Sequence, residues 1–406
     1  MFDELLSKLH PFSEVFVQHG RSVYLVGGAV RNLLMGLGAS DLDFATDATP
    51  GEVMSYFPRV IPTGIRHGTV TVLYRKQAFE VTTFRIDGTY SDARRPDSVT
   101  YTSNLEEDLS RRDFTINAMA VDLSNGELLD IHGGQSDLSE RILRAIGNPV
   151  HRFTEDALRI LRFFRFAAQF DFGWDPRTFD AAVELSPNLS SVSRERIRDE
   201  LLKILGSTAV SRIWPTLEQQ GVLRLLFPGL ACIPLATEVY ECWALLDPLQ
   251  RLSVWLAAGS AMERSSWEPT LRNLKLSSLE VTSVMAPLLA IRILESRSTL
   301  LERSRTILSH WNSREVIEHH AAVLECLSRS GAILPSQDTV EELRALKRPG
   351  TPVFLAELAV NGNDLIQAGL NPGPEVGTTL QRLLKLVWER PELNERLALL
   401  SFLKSQ

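Results

Sequence analysis

Strand signals in this chain stop at about residue 145 of 406, and that asymmetry limits its fold more than any other feature. Up to that point short β-rich runs alternate with helical ones: SVYLV at 22–26, SDLDFAT at 40–46, GTVTVLYR at 68–75 and AFEVTTFR at 78–85. The last two runs read as a hairpin turning at Lys76 and Gln77. Residues 1–19 read as a helix, and ATPGEVMSYF as a short one with Thr49 as N-cap and Pro50 at its first position. Beyond Arg141 the apolar residues recur at helical spacing over 152–170, 176–187, 193–206 and 210–226, and the rest is Leu-rich and broken by prolines. The pattern predicts an α+β head over 1–145 and an all-helical remainder, divided into a neck over 146–208, a body over 209–300 and a tail over 301–406.

Charge narrows the function. The net charge is −7, which is unfavourable for a protein that grips phosphates over its whole surface. Arginine is nevertheless concentrated in residues 85–212, so a basic cleft in an acidic protein is expected. The three cysteines, Cys232, Cys242 and Cys326, form no CxxC pair and no zinc spacing, which fits a reducing cytoplasm. The N-terminus lacks the basic-then-apolar order of a signal peptide, and no run of 18 apolar residues exists to cross a membrane.

Four groups of residues can carry chemistry. Gly27 and Gly28 open a turn into a helix, where backbone can approach a phosphate, and Asp41 and Asp43 follow at strand spacing. Two neighbouring carboxylates repel unless a cation such as Mg²⁺ lies between them. Glu80, on a later strand, either adds a third carboxylate to that pair or is a structural residue paired with Arg66 or Arg85. Asp108, Arg111, Arg112, Asp113 and Asn117 form a dense charged cluster running into FTINAMA, which reads as core. Asp108 and Arg112 are spaced for a surface ion pair, and an arginine there also suits a triphosphate at the lip of a cleft. Finally, EDALRILRFFRF places Asp156, Arg159 and Arg162 on one broad face of a helix, with Arg165 leaving it. An acid beside an arginine offers the acceptor and donors needed to read a base edge, though spacing alone also fits a solvated, salt-bridged helix.

Together these segments resemble the class II tRNA nucleotidyltransferases, the CCA-adding enzymes, and their poly(A) polymerase relatives. The match runs from about residue 20 to 206, through LVGGAVRNLLMG, SDLDFAT, LEEDLSRRDFTINAMA, RFTEDALRILRFFRFA and SVSRERIRDELLKIL. The resemblance implies a polymerase-β-like head and Mg²⁺ held by Asp41 and Asp43, with Glu80 beside them. Gly28 and Arg31 would contact incoming CTP or ATP, and Arg112 its phosphates or sugar. Asp156 and Arg159 would read the base, with Arg162 and Arg165 completing the pocket. The reaction implied is attack of a tRNA 3′-hydroxyl on the α-phosphate with loss of pyrophosphate, adding C, C and A. The helical C-terminal half would hold tRNA, with Arg292, Arg297, Arg303, Arg305 and Lys404 as candidate contacts.

The chain departs from that family at Asn32, where an aspartate is usual. No His-Asp pair of a phosphohydrolase occurs in the second half, so no phosphatase activity is expected. The retained stretch 87–101 argues against an enzyme adding only C-C, while addition of only the terminal A, or of poly(A), stays open.

Overall fold

The computed structural model describes residues 2–38, 41–88, 98–228, 235–260, 264–294, 305–307, 315–329, 337–345, 352 and 354–404. The chain divides into two compact units, 1–228 and 229–406. Arg94, Arg95, Arg297, Arg303 and Cys232 lie outside the described residues, as do the side chains of Arg292 and Lys404.

The first unit opens with helix α1 (Phe2–Gln18), strand β1 (Val23–Val26), α2 (Gly28–Leu34), β2 (Asp43–Thr46) and α3 (Pro50–Tyr56). Strands β3 (Val60–Gly64), β4 (Thr69–Tyr74) and β5 (Gln77–Thr83) follow, then the small hairpin β6 (Arg85–Asp87) and β7 (Val99–Tyr101). Helix α4 (Leu105–Ser110), β8 (Ala120–Asp122) and β9 (Leu128–Leu129) complete the sheet region. Seven strands form one mixed sheet in the order β3-β4-β5-β2-β1-β8-β9. Only β2 and β5 run parallel; the other neighbours are antiparallel.

The period of two along the strands decides what each face does. Phe44, Val70, Val72, Phe79 and Val81 point to one face, where Phe12 and Phe16 of α1 cover them. The Phe12 ring lies 5.0 Å from both Phe44 and Phe79 and 5.2 Å from Phe57. Each such buried ring contributes about 1.5–3 kcal/mol. On the opposite face a second cluster of Val26, Ala45, Phe84, Leu109, Ala118, Ala120 and Ile146 covers the β2-β1-β8 end. Asp43 and Glu80 share this face but sit where the cover stops, and both are exposed.

The remainder of this unit is helical: α5 (Gly134–Glu140), α6 (Pro149–Glu155), α7 (Leu158–Phe170), α8 (Pro176–Glu184), α9 (Arg194–Leu205), α10 (Val210–Gln219) and α11 (Val222–Leu226). Nine of the thirteen residues of α7 are buried, and they pack against Ile197, Leu201 and Ile204 of α9. Two strands of two residues each, Ile142–Leu143 and Gly173–Trp174, pair in parallel inside this region, too short to leave a strand signal.

Three sequence expectations are corrected. The β4–β5 turn is Arg75–Lys76, not Lys76–Gln77; both residues have positive φ, 47° and 67°, as a two-residue primed turn requires. Strand β2 starts at Asp43, so Asp41 and Leu42 precede it instead of lying on it. The helix expected over 152–170 is broken: Asp156 is extended, with φ −141° and ψ 102°, and its carboxylate accepts the Leu158 N–H at 3.0 Å. An aspartate that satisfies a backbone donor locally competes with helix continuation there.

The second unit is built from helices over residues 237–243, 248–258, 267–273, 278–294, 317–329, 337–345, 362–367, 374–389 and 396–404. Trp243 and Trp255 are fully buried, and Leu358, Leu365, Leu383, Val387 and Leu399 form a further cluster. Arg305, a candidate RNA contact from sequence, is instead buried, with its Nη1 donating to the Trp388 carbonyl. Among the described residues no helix is long and apolar enough to cross a membrane.

Candidate active site

A cleft of about 490 Å³ opens in the first unit, within the usual range for a small-molecule site. It gathers residues from five separate stretches: Gly27, Gly28 and Arg31; Asp43; Arg111, Arg112, Asp113 and Asn117; Asp156, Arg159, Arg162 and Arg165; and Arg196. Every nucleotide-binding residue singled out from sequence lines it, and so does Asp43. Asp41 and Glu80 do not line it, although the charge of each acts on Asp43.

The glycine turn is fixed by two demands. Gly27 has φ 70° and ψ −132°, a region hostile to side chains. A Cβ there would also stand 2.9 Å from Nη1 of Arg112. Arg112 is thereby held against the backbone at the start of α2. Its Nη2 reaches Asp108 at 3.3 Å, while its buried Nε has no acceptor among the described residues. A buried donor without a partner inside a cleft marks a place for a ligand acceptor.

The carboxylates on the open sheet face crowd one another. Asp43 on β2 is in register with Glu80 on β5. Although Asp43 is exposed at its surface, partial desolvation by the protein around it raises its carboxyl above the ordinary aspartate range, and the like charges of Glu80 and Asp41 add to this against the opposing pull of Arg112. Among the described residues Glu80 makes no ion pair, with Arg66 or with Arg85, and Arg85 is taken up by Asp87 at 3.1 Å. Oxygen donors that repel each other suit a hard divalent cation. Among the described residues no three of His, Cys, Asp and Glu converge as a cage for a metal ion.

The arginines are arranged by carboxylates. Asp108 is fully buried, so its pair with Arg112 is no surface contact; it holds Arg111 at 2.8 Å as well. Asp113 holds Arg162 through Nε at 2.7 Å and Nη2 at 2.5 Å, and accepts the Asn117 amide at 2.9 Å. Burial alone would raise the Asp113 carboxyl, but Arg162, Asn117 and Arg159 hold it well below the usual carboxylate range. Glu155 takes Arg159 at 2.5 Å, and Glu200 faces Arg165 at 2.9 Å. Arg196 takes Asp156 with both Nη atoms.

Asp156 and Arg159 were expected to share a helix face as a pair. Their side chains are not paired with each other: Asp156 sits in the break between α6 and α7, clamped by Arg196, and Arg159 also donates to the carbonyls of Arg152 and Arg111. Sequence reasoning gave no role to Arg196, Glu200 or Phe166. Glu200 did leave a signal, because it occupies a core position in the apolar stripe Ile197, Leu201, Ile204. The three cations Arg31, Arg162 and Arg165 converge on the Phe166 ring at 5.2, 5.3 and 4.0 Å, and cation–π attraction offsets part of their repulsion.

Comparison with known proteins gives the same picture over nearly the whole chain. The poly(A) polymerase head domain family matches residues 23–144, the family described as a probable RNA and SrmB-binding site of polymerase A matches 171–233, and the tRNA nucleotidyltransferase domain 2 family matches 250–403. The CCA-adding enzyme of Geobacillus kaustophilus is 36% identical over 386 residues, covering 93% of this chain and 92% of the relative. That of Levilactobacillus brevis is 35% identical over 402 residues, covering 96% of each. The crystal structure of the Bacillus stearothermophilus CCA-adding enzyme in complex with CTP superposes with a TM-score of 0.77 at 32% identity, covering 100% of this chain and 97% of that one. The Thermotoga maritima CCA-adding enzyme complexed with tRNA shares the fold, with a TM-score of 0.65 at 23% identity over 94% of this chain and 90% of that one.

Proposed function

The chain belongs to the CCA-adding enzyme family of tRNA nucleotidyltransferases, and on that premise we propose that it adds C, C and A, from CTP and ATP, to the 3′ end of tRNA with release of pyrophosphate. The observation that carries this reading is the one cleft lined by Gly28, Arg31, Asp43, Arg112, Asp156, Arg159, Arg162 and Arg165.

In this reading each wall has its own task. Arg112, whose Nε has no acceptor among the described residues, and Arg31 receive the triphosphate, while Gly27 and Gly28, which line the cleft without side chains, let phosphate oxygens come close to the backbone. Asp156 offers an acceptor to an exocyclic amino group, which both cytosine and adenine carry, and Arg159 offers donors to the ring acceptors beside it. Protein groups thus take the place of a template strand. Asp41 and Asp43 would hold Mg²⁺, with Glu80 adjoining, and the ion would supply positive charge to the attacking hydroxyl and the departing pyrophosphate. The ordered walls position the α-phosphate for in-line attack and keep the triphosphate from turning.

The test uses three RNAs with CTP or ATP supplied singly: tRNA lacking the whole tail, tRNA ending in C-C, and a generic RNA. We expect two C additions to the first, one A addition to the second and none to the third. A addition to the second with no C addition to the first would make this an A-adding enzyme, and tailing of generic RNA a poly(A) polymerase.

A further inference from the structure

Six of the seven arginines at the cleft, at positions 111, 112, 159, 162, 165 and 196, have a carboxylate of their own or share one. The seventh, Arg31, has none among the described residues. Its Nε and Nη2 both donate to Oδ1 of Asn32, at 3.2 and 2.9 Å, and its Nη1 donates to Oδ1 of Asn117. The carboxylate of Asp113 lies near, but both its oxygens are taken, Oδ1 by the Phe114 N–H and the Asn117 amide and Oδ2 by Arg162. Arg31 is only 6% exposed, so water does little to compensate its charge. The Phe170 ring, 4.7 Å away, steadies the cation without cancelling it.

A buried cation fixed by neutral oxygens has its geometry settled and its charge unspent. Burial and the neighbouring charges of Arg165 and Arg162 bring the guanidinium down to about 10, against the opposing pull of the Asp113 charge, and it is still protonated at neutral pH. Two further donors of the fork remain for a ligand, since the contacts to Asn32 and Asn117 use three of five. A polyanion arriving in the cleft supplies the missing counter-charge.

We propose that Asn32 is a positioning residue whose neutral amide orients Arg31 without neutralising it, so that the phosphates of the incoming nucleotide become the counter-ion of Arg31. This rests on the reading of the cleft as the nucleotide site and deepens it. Because the effect is on phosphates and not on a base edge, it applies equally to CTP and ATP.

Asn32→Asp tests it directly. The two side chains have nearly the same shape, so the variant keeps both hydrogen bonds to Arg31 and strengthens them while adding the missing charge. The full chain is titrated with inorganic tripolyphosphate, ATP and CTP, and its melting temperature is recorded. We expect all three to bind about tenfold more weakly, by a common factor, with no loss of melting temperature. Asn32→Ser, which removes the amide but adds no charge, is expected to bind tripolyphosphate more tightly than Asn32→Asp. A purely structural role for Asn32 gives the reverse: Asn32→Asp then binds as tightly as the parent or tighter, and that result overturns the proposal. Weakening confined to one nucleotide, with tripolyphosphate unaffected, also overturns it. Arg31→Ala separates this from the parent reading: if that variant binds all three ligands as the parent does, the cleft is not the triphosphate site at all.

Discussion

Arg196 grips the Asp156 carboxylate with both ends of its guanidinium, at 3.2 and 2.7 Å, across 40 residues of chain. Asp156 lies in a helix break, where no helical backbone repeat fixes its side chain, so this fork from α9 and the Leu158 N–H set its direction. Arg196→Ala is therefore expected to lower kcat/KM for both CTP and ATP, by about tenfold or more, without weakening tripolyphosphate binding. Arg196→Lys is expected to restore little, because an ammonium cannot make the bidentate contact. Single-nucleotide incorporation with each triphosphate measures both.

Asp113 ties Arg162 and Asn117 together at the back of the cleft. Removing one partner of such a buried pair costs about 3–5 kcal/mol, so Asp113→Ala should melt well below the parent at pH 7. The pH dependence has a definite sign. The folded-state carboxyl lies below its unfolded value, so the folded chain binds this proton more weakly. Its stabilisation is present above the unfolded value, about 3.9, and is lost as pH falls from there toward the folded value. Thermal melts of parent and Asp113→Asn should differ at pH 7 and converge as pH drops below about 4. A constant gap would contradict this.

Gly27→Ala places a methyl group 2.9 Å from Arg112 Nη1, too close for the two to stay as they are, and forces a side chain into a strained backbone region. The strain costs about 1–3 kcal/mol, which urea unfolding would register. Displacement of Arg112 should in addition raise KM for both nucleotides together. Gly36, whose φ is also positive but which has open space around it, is the comparison: Gly36→Ala should show the backbone cost without the change in KM.

Legibility in the sequence followed the range of the interactions. The head sheet and the neck helices were readable because alternation in GTVTVLYR and AFEVTTFR and the apolar spacing after residue 152 are local patterns. The β4–β5 turn was displaced by one residue because Arg75 and Lys76 adopt positive φ without the glycine or asparagine that usually announces it. The break at Asp156 was hidden because EDALRILRFFRF has helical spacing throughout, and one side-chain-to-backbone bond overrides it. The cleft residues were legible as types, but their partners were not. Asp113 with Arg162 and Asp156 with Arg196 join positions 49 and 40 residues apart, and no local pattern encodes such pairs.

Nucleotide transfer in this reading depends on Asp41 just before the central strand β2 and Asp43 at its start. The most direct test is nucleotide transfer to tRNA lacking its tail, with CTP, ATP and Mg²⁺, by the parent and by the Asp41→Ala and Asp43→Ala variants. We expect the parent to build the tail and each variant to bind tRNA and nucleotide yet add nothing in the time the parent needs. Chelation of the metal should silence the parent in the same way, with activity returning when Mg²⁺ is restored. Transfer by either variant at the parent's rate would contradict the account.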